Sequence, residues 1–271
     1  MLYQEGCRKI PVQWLRTRRA TPGYHVHGTT IEDSTKTILV VSAHAADFVW
    51  RAGGAIALYA SRGYKVRILC LSYGERGESQ GAWKQPGMTI ERVKEVRRAE
   101  ATRAAETLGA EVRFFDAGDY PLKASEETIQ EMVTEFRLNQ PEFVLTHAPL
   151  DPHNYDHPEA SGITMRSRVY AQALGYPAPG KAIGAPPVFF FEPNQPEQCA
   201  FQPQVLLDIT PVFDIKRKAM ESMETQAHLW EYYTDLSKRR GSQAVRNSNR
   251  QGIKYAEAFQ RPYPQVTEEL A

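Results

Sequence analysis

His44 and Asp47 stand three positions apart, directly after the apolar run Ile38-Leu39-Val40-Val41. A turn between them lets an imidazole nitrogen and a carboxylate oxygen converge on one borderline metal ion such as zinc. The segment Asp151-Pro152-His153-Asn154-Tyr155-Asp156-His157-Pro158 supplies the natural complement. It follows a second apolar strand, and His157 falls at a helix start, so its ring can face the same edge as His44 and Asp47. Two histidines and a carboxylate with one open position make a catalytic-zinc ligand set. His147, at the strand end, and His153 compete with His157 for the third place. The alternative on residues alone is a structural polar network.

The stretch Ser72-Tyr73-Gly74-Glu75-Arg76-Gly77-Glu78-Ser79 is the second chemical candidate. Its glycines let backbone bend close to a ligand. Glu75, just past a buried strand, suits general acid or base work. Arg76 offers a planar fork to a carboxylate. Glu78 reads as a solvated loop charge. Arg97, Arg98 and Glu100 read chiefly as a salt-bridged solvent face, with one arginine free to reach over the sheet edge. Glu192 is a weak polar candidate, and His228, beside Leu229 and Trp230, reads as a packed helical histidine. No GxGxxG supports dinucleotide binding.

These residues need a scaffold that brings strand ends together. Strands are expected at Thr37–Ala43, Tyr64–Ser72, Glu111–Phe115, Phe143–His147, Val188–Phe191 and Val205–Ile209. Helices are expected at Asp47–Arg62, Thr89–Leu108, Ser125–Asn139, Pro158 to about Leu174, and Pro211 to about Arg240 in two pieces. The residues between Tyr73 and Gly87 read as an irregular loop, and the final residues as polar and weakly patterned. Alternation at this rhythm predicts an α/β fold, a Rossmann-like, mostly parallel sheet with helices on both faces. Ligands of such sheets collect beyond the carboxyl ends of the strands.

Residues 1–36 differ from the rest. Arg8, Lys9, Arg16, Arg18 and Arg19 make them basic, with no apolar stretch of a secretory signal. They read as a flexible extension, with His25 and His27 as bystanders, ahead of a single domain over 37–271. A net charge of +1 argues against a dedicated nucleic-acid binder, and no apolar run reaches membrane-spanning length. Cys7, Cys70 and Cys199 are scattered, which predicts a reducing cytoplasm.

The motifs in order are Val40-Val41-Ser42-Ala43-His44-Ala45-Ala46-Asp47, Leu71-Ser72-Tyr73-Gly74-Glu75-Arg76-Gly77, Arg97-Arg98-Ala99-Glu100 with Leu108-Gly109, and Asn154-Tyr155-Asp156-His157. Together they resemble the PIG-L/LmbE-like family, mainly zinc-dependent sugar N-deacetylases on a Rossmann-like fold. The resemblance implies one zinc held by His44, Asp47 and His157. It also exposes two departures. The family's general base, the first aspartate of a His-Pro-Asp-Asp motif, is here Ala46. The histidine that assists hydrolysis in a later His-Pro-Asp-His motif is here Asn154. Loss of a positioned acid or base costs about 10²–10⁴ in rate, so amide hydrolysis is disfavoured.

The strings Ser42 to Gly54, Gly74 to Ser79, Phe191 to Cys199 and His228 to Tyr233 are similar to the family's 4-oxalomesaconate hydratase branch. That resemblance implies hydration of a small polycarboxylate in gallate and protocatechuate breakdown, giving 4-carboxy-4-hydroxy-2-oxoadipate. Glu75 is then the first choice for proton transfer and His153 the second. Arg51, Arg76 and Arg98 are candidate carboxylate clamps, and Asn154 joins the substrate-binding group. Self-association into a homo-oligomer is compatible with the sequence; nucleic-acid and membrane partners are not expected. The rivals are a deacetylase that recruits Glu75 or His153 as base, a metal-binding protein without turnover, and a Rossmann-like domain without metal.

Overall fold

The computed structural model describes residues 36–268. The extension expected over 1–36 therefore lies outside the described residues, Lys36 excepted. In chain order the elements are β1 (Thr37–Ser42), α1 (Asp47–Ser61), β2 (Lys65–Cys70), α2 (Gln80–Trp83), α3 (Ile90–Leu108), β3 (Glu111–Phe114), α4 (Glu126–Asn139), β4 (Phe143–Thr146), α5 (Asp156–Gln172), β5 (Val188–Phe191), β6 (Val205–Asp208), α6 (Phe213–Glu221), α7 (Trp230–Ser248) and β7 (Ala256–Gln260). They form a seven-stranded sheet in the order β3-β2-β1-β4-β5-β7-β6. β1 pairs in parallel with both β2 and β4, which puts the strand end carrying His44 at the centre of the sheet's carboxyl edge.

β1 is buried throughout because helices cover both faces. The pleat sends Ile38 and Val40 to one face, where α1, α3 and α6 contribute Val49, Ala101, Ala104 and Met220. It sends Leu39 and Val41 to the other, against Met132, Val133 and Phe136 of α4 and Ile163 of α5. Full burial of each such side chain is worth about 1.5–3 kcal/mol. The Thr89 side chain caps α3 by accepting the Arg92 N–H, and Gly109, left-handed at φ 75°, ends it.

Two parts differ from expectation. The stretch 73–87 contains α2, and Trp83 Nε1 anchors it by donating to the Glu75 carbonyl at 2.7 Å. The tail contains β7, which runs antiparallel between β5 and β6. Its pattern was unreadable because an acid, Glu257, sits buried at its centre (4% exposed).

That acid has a specific use. Glu257 accepts the Gly54 and Ala55 N–H groups of α1 at 2.7 and 2.8 Å. Lys216 of α6 donates to Glu257 Oε1 at 2.7 Å and to the Trp50 carbonyl at 2.9 Å. A buried ion pair is thus wedged against α1 one to two turns after Asp47. Gly53 makes the approach feasible, since a Cβ there would stand 3.3 Å from Lys216 Cγ. Breaking such a pair by removing one partner costs about 3–5 kcal/mol.

Candidate metal centre

The chain leaves β1 at Ser42, turns through Ala43–Ala46, and enters α1 at Asp47. The Asp47 carboxylate closes the turn by accepting the His44 N–H at 2.9 Å. At the first position of a helix a negative charge also faces the positive end of the macrodipole. Both side chains are buried (His44 0%, Asp47 1% exposed).

His44 Nδ1 lies 3.2 Å from Asp47 Oδ2 and 3.2 Å from Glu78 Oε1. Its Nε2 lies 3.2 Å from Asp119 Oδ1 and 3.3 Å from Asp156 Oδ2. With its proton on Nε2, directed at Asp119 and Asp156, the ring presents the Nδ1 lone pair to the Asp47–Glu78 side. Those two acids are themselves fixed: Asp156 accepts the Tyr120 and Leu122 N–H groups, each at 2.9 Å, and Asp119 accepts those of Arg76 and Gly77.

His157 enters from the start of α5. Its Nδ1 is 2.8 Å from Asp151 Oδ2. Its Nε2 is buried without a hydrogen-bond partner, 3.4 Å from Asp47 Oδ1 and 3.7 Å from Glu78 Oε1. An orphaned imidazole nitrogen among carboxylate oxygens, with its other nitrogen on a carboxylate, is what a metal-ligating histidine presents. His44, Asp47, Glu78 and His157 form a cluster whose ligand atoms all lie within 4.8 Å of one another. The donor set fits a divalent metal.

His147 is excluded from the third place by its own hydrogen bond. Its Nε2 accepts the Ala43 N–H at 2.9 Å. Burial, with His157 beside it, holds its pKa well below the ordinary value, so it is neutral and buttresses His157 by stacking at 4.3 Å. His153 is exposed at the cavity rim, its Nε2 2.9 Å from Gln198 Oε1.

The loop after β2 corrects the expectation for Glu75. Glu75 is buried away from the cavity, 3.7 Å from Lys94 Nζ, and does not line the site. The chain reverses at Gly74 (φ 67°), where a Cβ would crowd the Cβ atoms of His44 and Glu78 at 3.2 and 3.3 Å. The turn brings Glu78 over His44, held by Asn154 Nδ2 at 3.1 Å. Glu78, expected to be a solvated charge, is the loop's acid at the site. Only the glycines at 74 and 77 hinted at this reversal.

Two of the three arginine clamps also fail to reach the cavity. Arg76 is exposed and donates through Nη1 to the Asp119 carbonyl at 3.2 Å. Arg98 lies over the Tyr73 and Phe114 rings at 5.0 and 5.2 Å on the outer side of α3. Its neighbour Arg97, expected on a solvent face with Glu100, is instead fully buried and donates to Glu100, Gln226 and the Tyr73 carbonyl. Arg51 does line the cavity. Its Nε is 3.3 Å from Asp47 Oδ1, and its Nη1 donates to the Glu192 carbonyl at 3.0 Å. The cavity, about 260 Å³, is also lined by Glu78, His153, Asn154, His157 and Tyr233, and by His228, which lies in a short 3-10 helix, Glu224–Leu229, but is exposed rather than packed as expected.

The metal-free cluster has a pH signature. Burial works against charge on both histidines, yet the carboxylates prevail. Glu78, Asp119, Asp156 and Asp47 hold His44 well above its ordinary 6.5, and Asp47 with Asp151 pushes His157 up to about 9. A raised histidine stabilises the fold fully below its unfolded pKa, and that contribution is lost as pH rises through the folded value. The thermal midpoint of chelator-stripped protein is therefore expected to fall between pH 6.5 and 9. His147, neutral throughout, adds no slope there. Metal-loaded protein, whose ligand nitrogens carry no proton toward the ion, is expected to lack the fall. Parallel curves with and without metal would remove these two histidines from the metal site.

The chain is 54% identical over 239 residues to the 4-oxalmesaconate hydratase of Pseudomonas putida, covering 87% of this chain and 93% of that one. Residues 39–167 also match the model of the GlcNAc-PI de-N-acetylase family, PIG-L. This chain belongs to the PIG-L family. The PIG-L fold recurs in the crystal structure of GalB, the 4-carboxy-2-hydroxymuconate hydratase of Pseudomonas putida, with a TM-score of 0.85 and 53% identity over 88% of this chain and all of that one. A more distant PIG-L relative, the 1D-myo-inositol 2-acetamido-2-deoxy-α-D-glucopyranoside deacetylase of Rhodococcus erythropolis, is 29% identical over 58% of this chain and 61% of its own length. An N,N'-diacetylchitobiose deacetylase from Pyrococcus horikoshii shares the fold, with a TM-score of 0.68 at 20% identity over 84% of each chain.

Proposed function

We propose that this protein is a zinc-dependent hydratase that adds water to 4-oxalomesaconate (4-carboxy-2-hydroxymuconate), giving 4-carboxy-4-hydroxy-2-oxoadipate in cytoplasmic aromatic-acid catabolism. The observation that carries the reading is the pairing of an intact ligand cluster with Ala46, whose buried methyl cannot move a proton. The high identity to a hydratase gives that pairing its direction. A reducing compartment fits Cys70 and Cys199, both free and buried. Among the described residues no helix is long and apolar enough to cross a membrane.

His44, Asp47 and His157 would hold the zinc, which would supply Lewis acidity toward an oxygen of the substrate. Arg51 steadies Asp47 and presents positive charge to a substrate carboxylate. Glu78 takes a proton from the attacking water while the water oxygen bonds to the carbon bearing the branching carboxylate. The electron pair of the double bond moves onto the neighbouring carbon, delocalised into the carboxylate that carbon bears, and the proton held on Glu78 is then returned to that carbon. One water is added and no redox partner is needed. Asn154, donating to Glu78, fixes the carboxylate that moves the proton. His153, at the rim, is placed for a substrate contact rather than for this transfer.

Zinc-loaded protein is expected to consume 4-oxalomesaconate, followed by loss of the conjugated absorbance, and to release no acetate from N-acetylglucosaminyl substrates. Acetate release without hydration would establish the deacetylase instead. Bound zinc with neither activity would make the protein a metal-binding member without turnover.

A further inference from the structure

Trp50 precedes Arg51 on α1 and lines the same cavity. Its ring is 3% exposed and stacks on Tyr233, centroids 5.4 Å apart and planes at 12°. Its Nε1 is buried and makes no hydrogen bond among the described residues. An indole N–H only donates, so what it lacks is an acceptor. Leaving such a group unpaired costs about 1–3 kcal/mol. Trp230 Nε1 is also unpaired, but Trp230 lies beside Arg217 and does not line the cavity.

Arg51 has spare capacity in the same place. Nε and Nη1 are engaged with Asp47 and the Glu192 carbonyl, while Nη2 makes no hydrogen bond among the described residues. Two adjacent residues thus bring the cavity one cationic and one neutral donor without partners, and an anionic acceptor with two oxygens satisfies both.

We propose that Trp50 is a specificity-determining residue: its indole N–H, with Arg51, holds one carboxylate of the substrate. The assignment rests on the hydratase reading and adds the selection of an acid over a neutral sugar amide. A site built to donate hydrogen bonds rejects a ligand that leaves its donors unpaired.

The test is Trp50→Phe in the zinc-loaded protein, which keeps an aromatic ring against Tyr233 and deletes the donor. The expected result is a rise in KM for 4-oxalomesaconate of about tenfold or more, the loss of one hydrogen bond to a charged group, with kcat within about twofold, as for uniform binding. A packing role alone would lower the thermal midpoint without this split. An unchanged KM, or a fall in kcat alone, overturns the assignment. Absence of hydration by the unsubstituted protein would instead overturn the hydratase reading. Should Trp50→Phe not fold, a benzothiophene analogue of the indole at position 50 keeps the shape without the N–H, and the same outcomes decide.

Discussion

On the proposed hydratase reading, Glu78→Gln is expected to lower kcat by about 10²–10⁴ without loss of added zinc, the range found when a positioned acid or base is removed. The substituted amide has nearly the same shape but cannot accept a proton, so the loop should hold its course. That course is fixed independently of the carboxylate: Asp119 accepts the Arg76 and Gly77 N–H groups, and Ser79 Oγ donates to the Gly74 carbonyl at 2.7 Å. Burial opposes charge on Glu78, yet in the metal-free cluster His44 beside it holds the carboxyl well below its usual range. Glu75→Gln is the contrast. Its side chain faces Lys94 rather than the cavity, and kcat is expected to stay within about twofold of the unsubstituted value, as for a residue outside the reacting centre. Steady-state kinetics with elemental analysis of each variant checks both. Loss of turnover in the Glu75 variant with full turnover in the Glu78 variant would reverse the assignment.

His157→Ala is expected to strip the metal and to bring turnover down to that of chelator-treated protein. It removes the one buried imidazole nitrogen in the cluster that has no other partner. Asp151→Asn, which acts on the same ring through Nδ1, is expected to weaken zinc binding by about 10–100-fold. His147→Gln should retain the metal, because the His147 nitrogen nearest the site already accepts the Ala43 N–H. Zinc content after dialysis against a graded chelator series separates the three variants. Full zinc in His157→Ala would remove that residue from the ligand set.

The central strand and its neighbour β4, which run into His44 and His147, were legible because a buried parallel strand reads as an unbroken apolar run. Ile38 to Val41 announces both the strand and the place where it stops. His44, Asp47 and His157 could be singled out because a metal needs few residue types at strand ends, and the structure does bring them together. Glu78 escaped for a geometric reason. Sequence distance from a strand end does not measure spatial distance once a left-handed glycine turns the chain, so the nearer Glu75 is buried toward Lys94 and the farther Glu78 lines the cavity. Arg97 and Arg98, read together as chiefly a solvent face, are separated by helix phase: one residue is 100° around α3, enough to part a ring-stacked surface arginine from a fully buried one. β7 was hidden by Glu257, whose burial makes sense only once Lys216 and the two α1 amides are known to meet it.

The same carboxylate ties the helix that carries Asp47 to a strand made much later in the chain. Gly54 and Glu257 are 203 positions apart, and at about 5–20 residues per second a ribosome needs roughly 10–40 s to cover that distance. His44 and Asp47 emerge early, but the helix that aims Asp47, Trp50 and Arg51 has no counter-charge for Lys216 until the last strand slides between β5 and β6. A chain cut short before Ala256 would carry His44, Asp47 and His157 in its sequence and still leave the Gly54 and Ala55 amides and Lys216 without Glu257, so the brace on α1 is the contribution of a strand made long after the helix it holds.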